Sequence, residues 1–237
     1  MTRGHLAPRV AHQASRPALP ARTPGSITLH AGSPLDPSSA RRWLLASIGV
    51  ALVLGVALLV MALGPHRVGD YFTETDFYGG YAAGAKALQR GNIDPARYGV
   101  VGPGYEVALA LVGLAVRDLL LAAELLSVLS VVVGVMLWAR LIARRADPRL
   151  AFALTLFLAT NGTLFRYGYS ATTDALAWAL QALALYLLLD RARPRAALLA
   201  GLVAARAFLT RYSAVYLLPA GLIALVAECD NFVSAAV

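Results

Sequence analysis

The chain has very little cysteine, histidine, lysine or charge, and each shortage excludes something. Cys229 is the sole cysteine in 237 residues, which rules out an internal disulfide and any cysteine-based zinc site. Three of the four histidines, His5, His12 and His30, fall in the N-terminal segment, and His66 stands alone, so no histidine-based metal cluster is visible. Charged residues make up 14% of the chain, against roughly 25% in a soluble domain. Lys86 is the only lysine among 21 basic residues. Genome-level codon bias explains that preference more simply than selection for anion binding.

Apolar residues take the place of charge. They make up 59% of the chain, with a mean hydropathy of +0.64, and several uncharged runs approach the ~20 residues that cross a bilayer. The expected fold class is an all-α integral membrane protein of about six transmembrane helices. Its first loop is expected to be non-cytoplasmic and to carry two interfacial amphipathic helices. A net charge of +8 suggests nucleic acid at first sight. The arginines, however, sit beside the ends of apolar runs, as the positive-inside rule requires. Membrane lipids are therefore expected partners and nucleic acid is not.

Residues 1–40 are rich in Pro, Ser, Ala and Arg without a helical or strand period, and read as a disordered cytoplasmic tail. The tail is too long and proline-rich for a signal peptide, so the first span reads as a retained anchor. The transmembrane domain is expected over 41–228, with spans at about 43–63, 119–139, 150–165, 171–189, 196–209 and 213–227. Residues 229–237 read as a C-terminal tail of a truncated chain. Within span one, Ser47, Ala51 and Gly55 recur every fourth residue, a stripe that lets another helix approach closely. Arg41 and Arg42 place the start of span one in the cytoplasm. Arg140, Arg144, Arg145 and Arg149, then Arg191, Arg193 and Arg195, keep the alternation consistent. The localisation that follows is a multi-pass plasma-membrane protein with a cytoplasmic N-terminus. Loop 64–118, "RYGYSATTD" (166–174) and "TRYS" (210–213) then share the outer surface, where polar groups at a bundle mouth suggest a site.

The loop has its own pattern. Phe77, Tyr81, Ala85 and Leu88 fall on one helical face of 76–90, with Lys86, Gln89 and Arg90 opposite. A second interfacial helix is expected over 101–116, begun after Pro103-Gly104. Asp76 suits a helix N-terminus as a cap or first-turn acid. The other reading is a carboxylate at the membrane surface that acts as general base. Asp174 lies one turn into span four, where an acid needs a polar cavity or partner, and Trp178 and Gln181 share its face. Arg166, Arg206 and Arg211 lie on the outer side against the usual bias. Snorkelling to lipid phosphate accounts for that, and so does a site for a phosphate-bearing ligand. Glu124, inside span two, should face the bundle.

These pieces resemble the membrane glycosyltransferases of the GT-C superfamily, in their N-terminal part. The resemblance rests on "TDFYGGYAAGAKAL…GPGYE", "RYGYSATTDALAWALQALALYLLL" and "AGLVAARAFLTRYSAVYLLPAGL". The most similar branch contains the dolichyl-phosphate-mannose protein mannosyltransferases and the lipid A aminoarabinose transferases. It implies transfer of a hexose or pentose from a polyprenyl-phosphate donor to a lipid, glycan or protein acceptor at the outer face. It implies Asp76 as catalytic carboxylate, with Asp174, Arg166, Tyr167, Arg211, Lys86, Tyr105 and Glu106 around the donor phosphate and substrate. It fixes no cofactor and leaves a divalent metal as an option. The chain departs from the family in length and in reading "GPGY" where Pro-Pro is frequent. The alternatives are a non-catalytic GT-C-like scaffold or fragment and, further off, a transporter component. A transporter would show inverted repeats or broken helices near the midplane; neither is evident in the sequence.

Overall fold

The computed structural model describes residues 36–64, 75–98, 102–189, 195–224 and 226. All regular structure among them is helical. The expected all-α membrane fold is what is observed. Residues 1–35, 99–101 and 229–237 lie outside the described residues, as do His66 and the arginines at 191 and 193.

Helix α1, Pro37–Leu63, begins earlier than the sequence suggests. Asp36 caps it by accepting from the Ser38 amide at 3.3 Å, and proline at the first position is already set for helical φ. The last residues of the supposed tail are therefore the first turn of a helix. Ser47, Ala51, Leu54, Gly55 and Leu58 are buried, whereas Leu52, Val53, Val56 and Val60 on the other side are exposed. A Cβ on Gly55 would meet Val132 Cγ2 at 2.6 Å. The small-residue stripe is thus where the long helix α4, Leu119–Arg145, makes its close approach. Asp118 caps α4 by accepting from the amides of Leu120 and Leu121. Glu124 is 3% exposed and does face the bundle.

Two short helices precede α4. Helix α2, Ala82–Gln89, follows a π-helical turn, Phe77–Tyr81, and α3 spans Gly104–Ala115. A 3₁₀ turn, Pro95–Tyr98, lies between them. Phe77 and Ala85 are buried with Tyr105, Leu109, Ala122 and Ala123, and Tyr81 and Leu88 pack against that cluster. The amphipathic face read from the sequence is therefore the packed face. Helix α3 packs one face into the protein, with Tyr105 and Leu109 fully buried, and leaves Leu111 and Leu114 exposed.

The expected third span is broken. Helix α5, Pro148–Ala159, ends, and α6, Gly162–Tyr169, starts afresh. Asn161 causes the break, since its side chain accepts from the Leu164 amide at 2.9 Å and caps α6. Helix α7, Thr173–Leu188, leaves α6 at a bend of 110°. At that bend the buried Ser170 carbonyl accepts from the buried Ser127 hydroxyl of α4 at 2.7 Å. Helix α8, Ala196–Thr210, and the apolar helix α9, Tyr212–Ala224, which opens with a 3₁₀ turn, complete the order. Among the described residues α1 and α4 alone are long and apolar enough to cross a membrane, and the bent α6–α7 pair makes a third if counted as one span. Helices α3, α5, α8 and α9 are apolar but shorter. Six full spans are the sequence expectation; helix length supports two or three.

Candidate functional site

The site forms where the loop helices, the α6–α7 bend and the α8–α9 corner meet. "GPG" at 102–104 makes that meeting close. Added Cβ atoms on Gly102 and Gly104 would both strike the Leu209 backbone, Gly104 at 2.6 Å from the Leu209 carbonyl carbon. Any larger residue would hold the start of α3 away from the end of α8. The Tyr212 hydroxyl reinforces the junction by donating to the Tyr98 carbonyl at 2.6 Å.

Two cavities lie there. The first, about 430 Å³, is lined by Thr75, Asp76, Gly79, Gly80, Tyr81, Arg97, Tyr98, Gly102 and Glu106. Asp76 is exposed, has helical φ and ψ of −67° and −29°, and makes no side-chain capping bond. The capping role, open on spacing alone, is not the one its carboxylate takes. Glu106 is 6% exposed. Its carboxylate accepts from the Tyr98 hydroxyl at 3.0 Å and lies 3.4 Å from Arg97 Nη2.

The second cavity, about 410 Å³, includes Tyr167, Asp174, Trp178, Gln181 and Arg211 in its lining. The Asp174–Trp178–Gln181 face read from helical spacing does line one space. Arg211 Nη1 sits 2.6 Å from Asp174 Oδ1 and donates to Thr173 Oγ1 at 3.2 Å. Both side chains of the ion pair stay partly open to solvent.

Tyr81 lines the first cavity and lies within electrostatic reach of Asp174 and Arg211, which line the second. Burial raises its phenol above the ordinary value of 10.0. The Asp76 and Asp174 carboxylates push it further up, and the Thr173 hydroxyl and Arg211 pull it back. One tyrosine therefore senses both carboxylates and the arginine. The Tyr98 phenol is also raised, first by burial and then by its bond to Glu106.

Of the residues singled out in the sequence, Asp76 and Glu106 line one cavity and Tyr167, Asp174 and Arg211 the other. Lys86 and Arg166 are exposed and line neither. Tyr105 is a core residue whose ring stacks edge-on against Tyr81 with centroids 5.0 Å apart. Sequence reasoning assigned no role to Arg97 or Tyr98, and gave Tyr81 only a place on a helix face. The available signal was Glu106 itself, because an acid in the first turn of an apolar helix needs a donor nearby. As for a metal, no group of three His, Cys, Asp or Glu converges among the described residues. Among the described residues Asp174 is engaged by Arg211.

Long apolar helices and a polar site walled by short ones define an all-α membrane protein with a pocket at helix ends. The family model of the dolichyl-phosphate-mannose-protein mannosyltransferases matches residues 102–234, more than half of the chain. The chain belongs to that family and is a membrane glycosyltransferase of the GT-C type. The match contains Glu106, Arg166, Tyr167, Asp174 and Arg211; Asp76 and Lys86 precede it. No curated protein and no solved structure matches the chain.

Proposed function

We propose that the chain moves a sugar from a polyprenyl-phosphate donor to a hydroxyl acceptor at the outer face of the membrane. The observation that supports this reading is that Asp76 lines one cavity, the Asp174–Arg211 pair lines a second, and Tyr81 of the first lies within electrostatic reach of all three. Transfer needs a base for the acceptor proton and a cation for the departing phosphate, and the two cavities supply one each.

In this reading the acceptor hydroxyl enters the Asp76 cavity. The carboxylate takes its proton as the oxygen attacks the anomeric carbon. The bond from that carbon to the lipid phosphate breaks, and the phosphate leaves with the bonding pair. Arg211, held in place by Asp174 and Thr173, meets the growing negative charge. The Tyr81 phenol, protonated near neutral pH as any tyrosine is, donates near the sugar. A single displacement inverts the anomeric centre. The exposed apolar faces of α1 and α8 border lipid, where the polyprenyl tail must lie.

The test uses the whole 237-residue chain reconstituted with a labelled polyprenyl-phosphate sugar. Asp76→Asn should lower turnover by about 10²-fold to 10⁴-fold, the range of general-base catalysis, while circular dichroism and elution volume stay unchanged. Turnover by the asparagine variant near the wild-type rate would remove Asp76 from the mechanism.

A further inference from the structure

The turn that carries Asp76 is unusual in its winding. Phe77–Tyr81 is π-helical, and the following amide, Ala82, reaches back to the Phe77 carbonyl. Such turns are rare and mostly occur at functional positions. Gly79 and Gly80 have nothing within 4 Å of where a Cβ would stand. Side-chain packing at these two positions therefore does not hold the turn. Arg97 does reach it: its Nη2 donates to the Gly80 carbonyl at 2.9 Å and, with its second hydrogen, faces Glu106 Oε1 at 3.4 Å.

Glu106 is placed for this by two features. Gly84 has no Cβ, and the Glu106 carboxylate occupies the space that one would fill. The Tyr98 hydroxyl takes the other carboxylate oxygen, while the Tyr98 carbonyl is bound by Tyr212 of α9. The chain of contacts runs from α9 through Tyr98 and Glu106 to Arg97, and ends on the turn that follows Asp76.

We propose that Glu106 and Arg97 are positioning residues: Glu106 orients the guanidinium, the guanidinium pins the Gly80 carbonyl, and the pinned turn aims Asp76. This rests on the reading of Asp76 as the base. The arginine side of the pair is 33% exposed and the carboxylate side 7%. With the guanidinium partly in water the pair contributes less to global stability than a fully buried one, and the Arg97 bond to the Gly80 carbonyl carries its effect to the turn. Lysine in place of Arg97 has no planar fork to hold two oxygens at fixed angles.

Three variants of the full chain test the proposal: Glu106→Gln, Gly84→Ala and Asp76→Asn. The glutamine keeps the Tyr98 bond and the shape but loses the charge facing Arg97. The alanine leaves Glu106 intact but displaces its carboxylate, the flexible end of a side chain. Each is measured by amide hydrogen exchange and by kcat and KM with a polyprenyl-phosphate sugar. Glu106→Gln and Gly84→Ala should both raise exchange across residues 77–84 by about tenfold and leave α4 unchanged. They should lower kcat by about tenfold to a hundredfold, the cost of misplacing a reacting group by about 1 Å, with the donor KM held.

Unchanged exchange and kcat in both variants would overturn the proposal. So would a raised KM at constant kcat, which would make Glu106 a substrate contact. Asp76→Asn should stop turnover without loosening the turn. If it turns over while Glu106→Gln still loosens 77–84, the assignment of the base fails and the pinning of the turn stands. The exchange measurement supports or refutes that pinning with or without turnover.

Discussion

Arg211 Nη1 lies 2.6 Å from Asp174 Oδ1, which ties the residue that ends α8 to the first turn of α7. The same guanidinium nitrogen donates to Thr173. The acid fixes the direction of the cation, and the cavity beside it stays open.

Arg211→Gln is expected to raise KM for a polyprenyl-phosphate donor by about tenfold or more, since a charged hydrogen bond contributes about 1.5–3 kcal/mol. Both side chains are partly exposed, so the melting temperature should hardly move. Arg211→Lys should recover only part of the affinity. Initial rates across donor concentrations, beside a thermal melt, check this; a normal KM in Arg211→Gln removes Arg211 from the donor site.

Gly104→Ala should destabilise the protein by about 1–3 kcal/mol, the usual cost of overpacking, because the new methyl meets the Leu209 backbone and neither chain can rotate away. Gly201→Ala in α8 is the control. Nothing lies within 4 Å of its added Cβ, so it should be neutral or stabilising by about 0.5–1 kcal/mol. Thermal unfolding of both variants in one detergent compares them, and equal midpoints would contradict the close α3–α8 contact.

Stability should fall at high pH through Tyr81. Its folded phenol is raised above the ordinary 10.0, first by burial and next by Asp76. Between the unfolded and folded values the folded chain holds the extra proton. Stability is therefore full below about pH 10 and is lost as pH climbs through the folded value. Tyr81→Phe should flatten that decline. Denaturant midpoints from neutral to strongly alkaline pH read the slope, and a variant with an unchanged slope would exclude Tyr81 as the source.

The orientation has a direct test. Asn92 is exposed in the loop that follows α2. With Cys229 replaced by serine, Asn92→Cys should react with a membrane-impermeant maleimide added outside intact cells. Labelling only after the cytoplasm is opened would reverse the proposed topology.

Several elements were legible in the sequence for local reasons. The apolar runs of α1 and α4 signal membrane helices because length and composition suffice. Ser47, Ala51 and Gly55 announce a close helix contact by spacing. Phe77, Tyr81, Ala85 and Leu88 mark a packed face, and Asp174, Trp178 and Gln181 share a cavity, because one helical period sets each. The break at Asn161 went unread. Asn161 falls inside an apolar run, and only its bond to the Leu164 amide shows that it starts a new helix. The π turn was also invisible, since an interval of four from Phe77 to Tyr81 suits either winding and the Gly79-Gly80 pair permits both.

The sequence by itself determined the class of the protein, because burial of apolar surface and backbone satisfaction in lipid depend on composition and local period. It also nominated the acids, since an acid at an apolar helix end stands out wherever the helix packs. Tertiary structure alone decided which of those acids meet which cations. Arg97 and Glu106 are nine residues apart and Asp174 and Arg211 thirty-seven, and no local rule fixes how such side chains are oriented. Three glycines decided it: Gly102 and Gly104 let α3 rest on the backbone of α8, and Gly84 leaves room for a carboxylate.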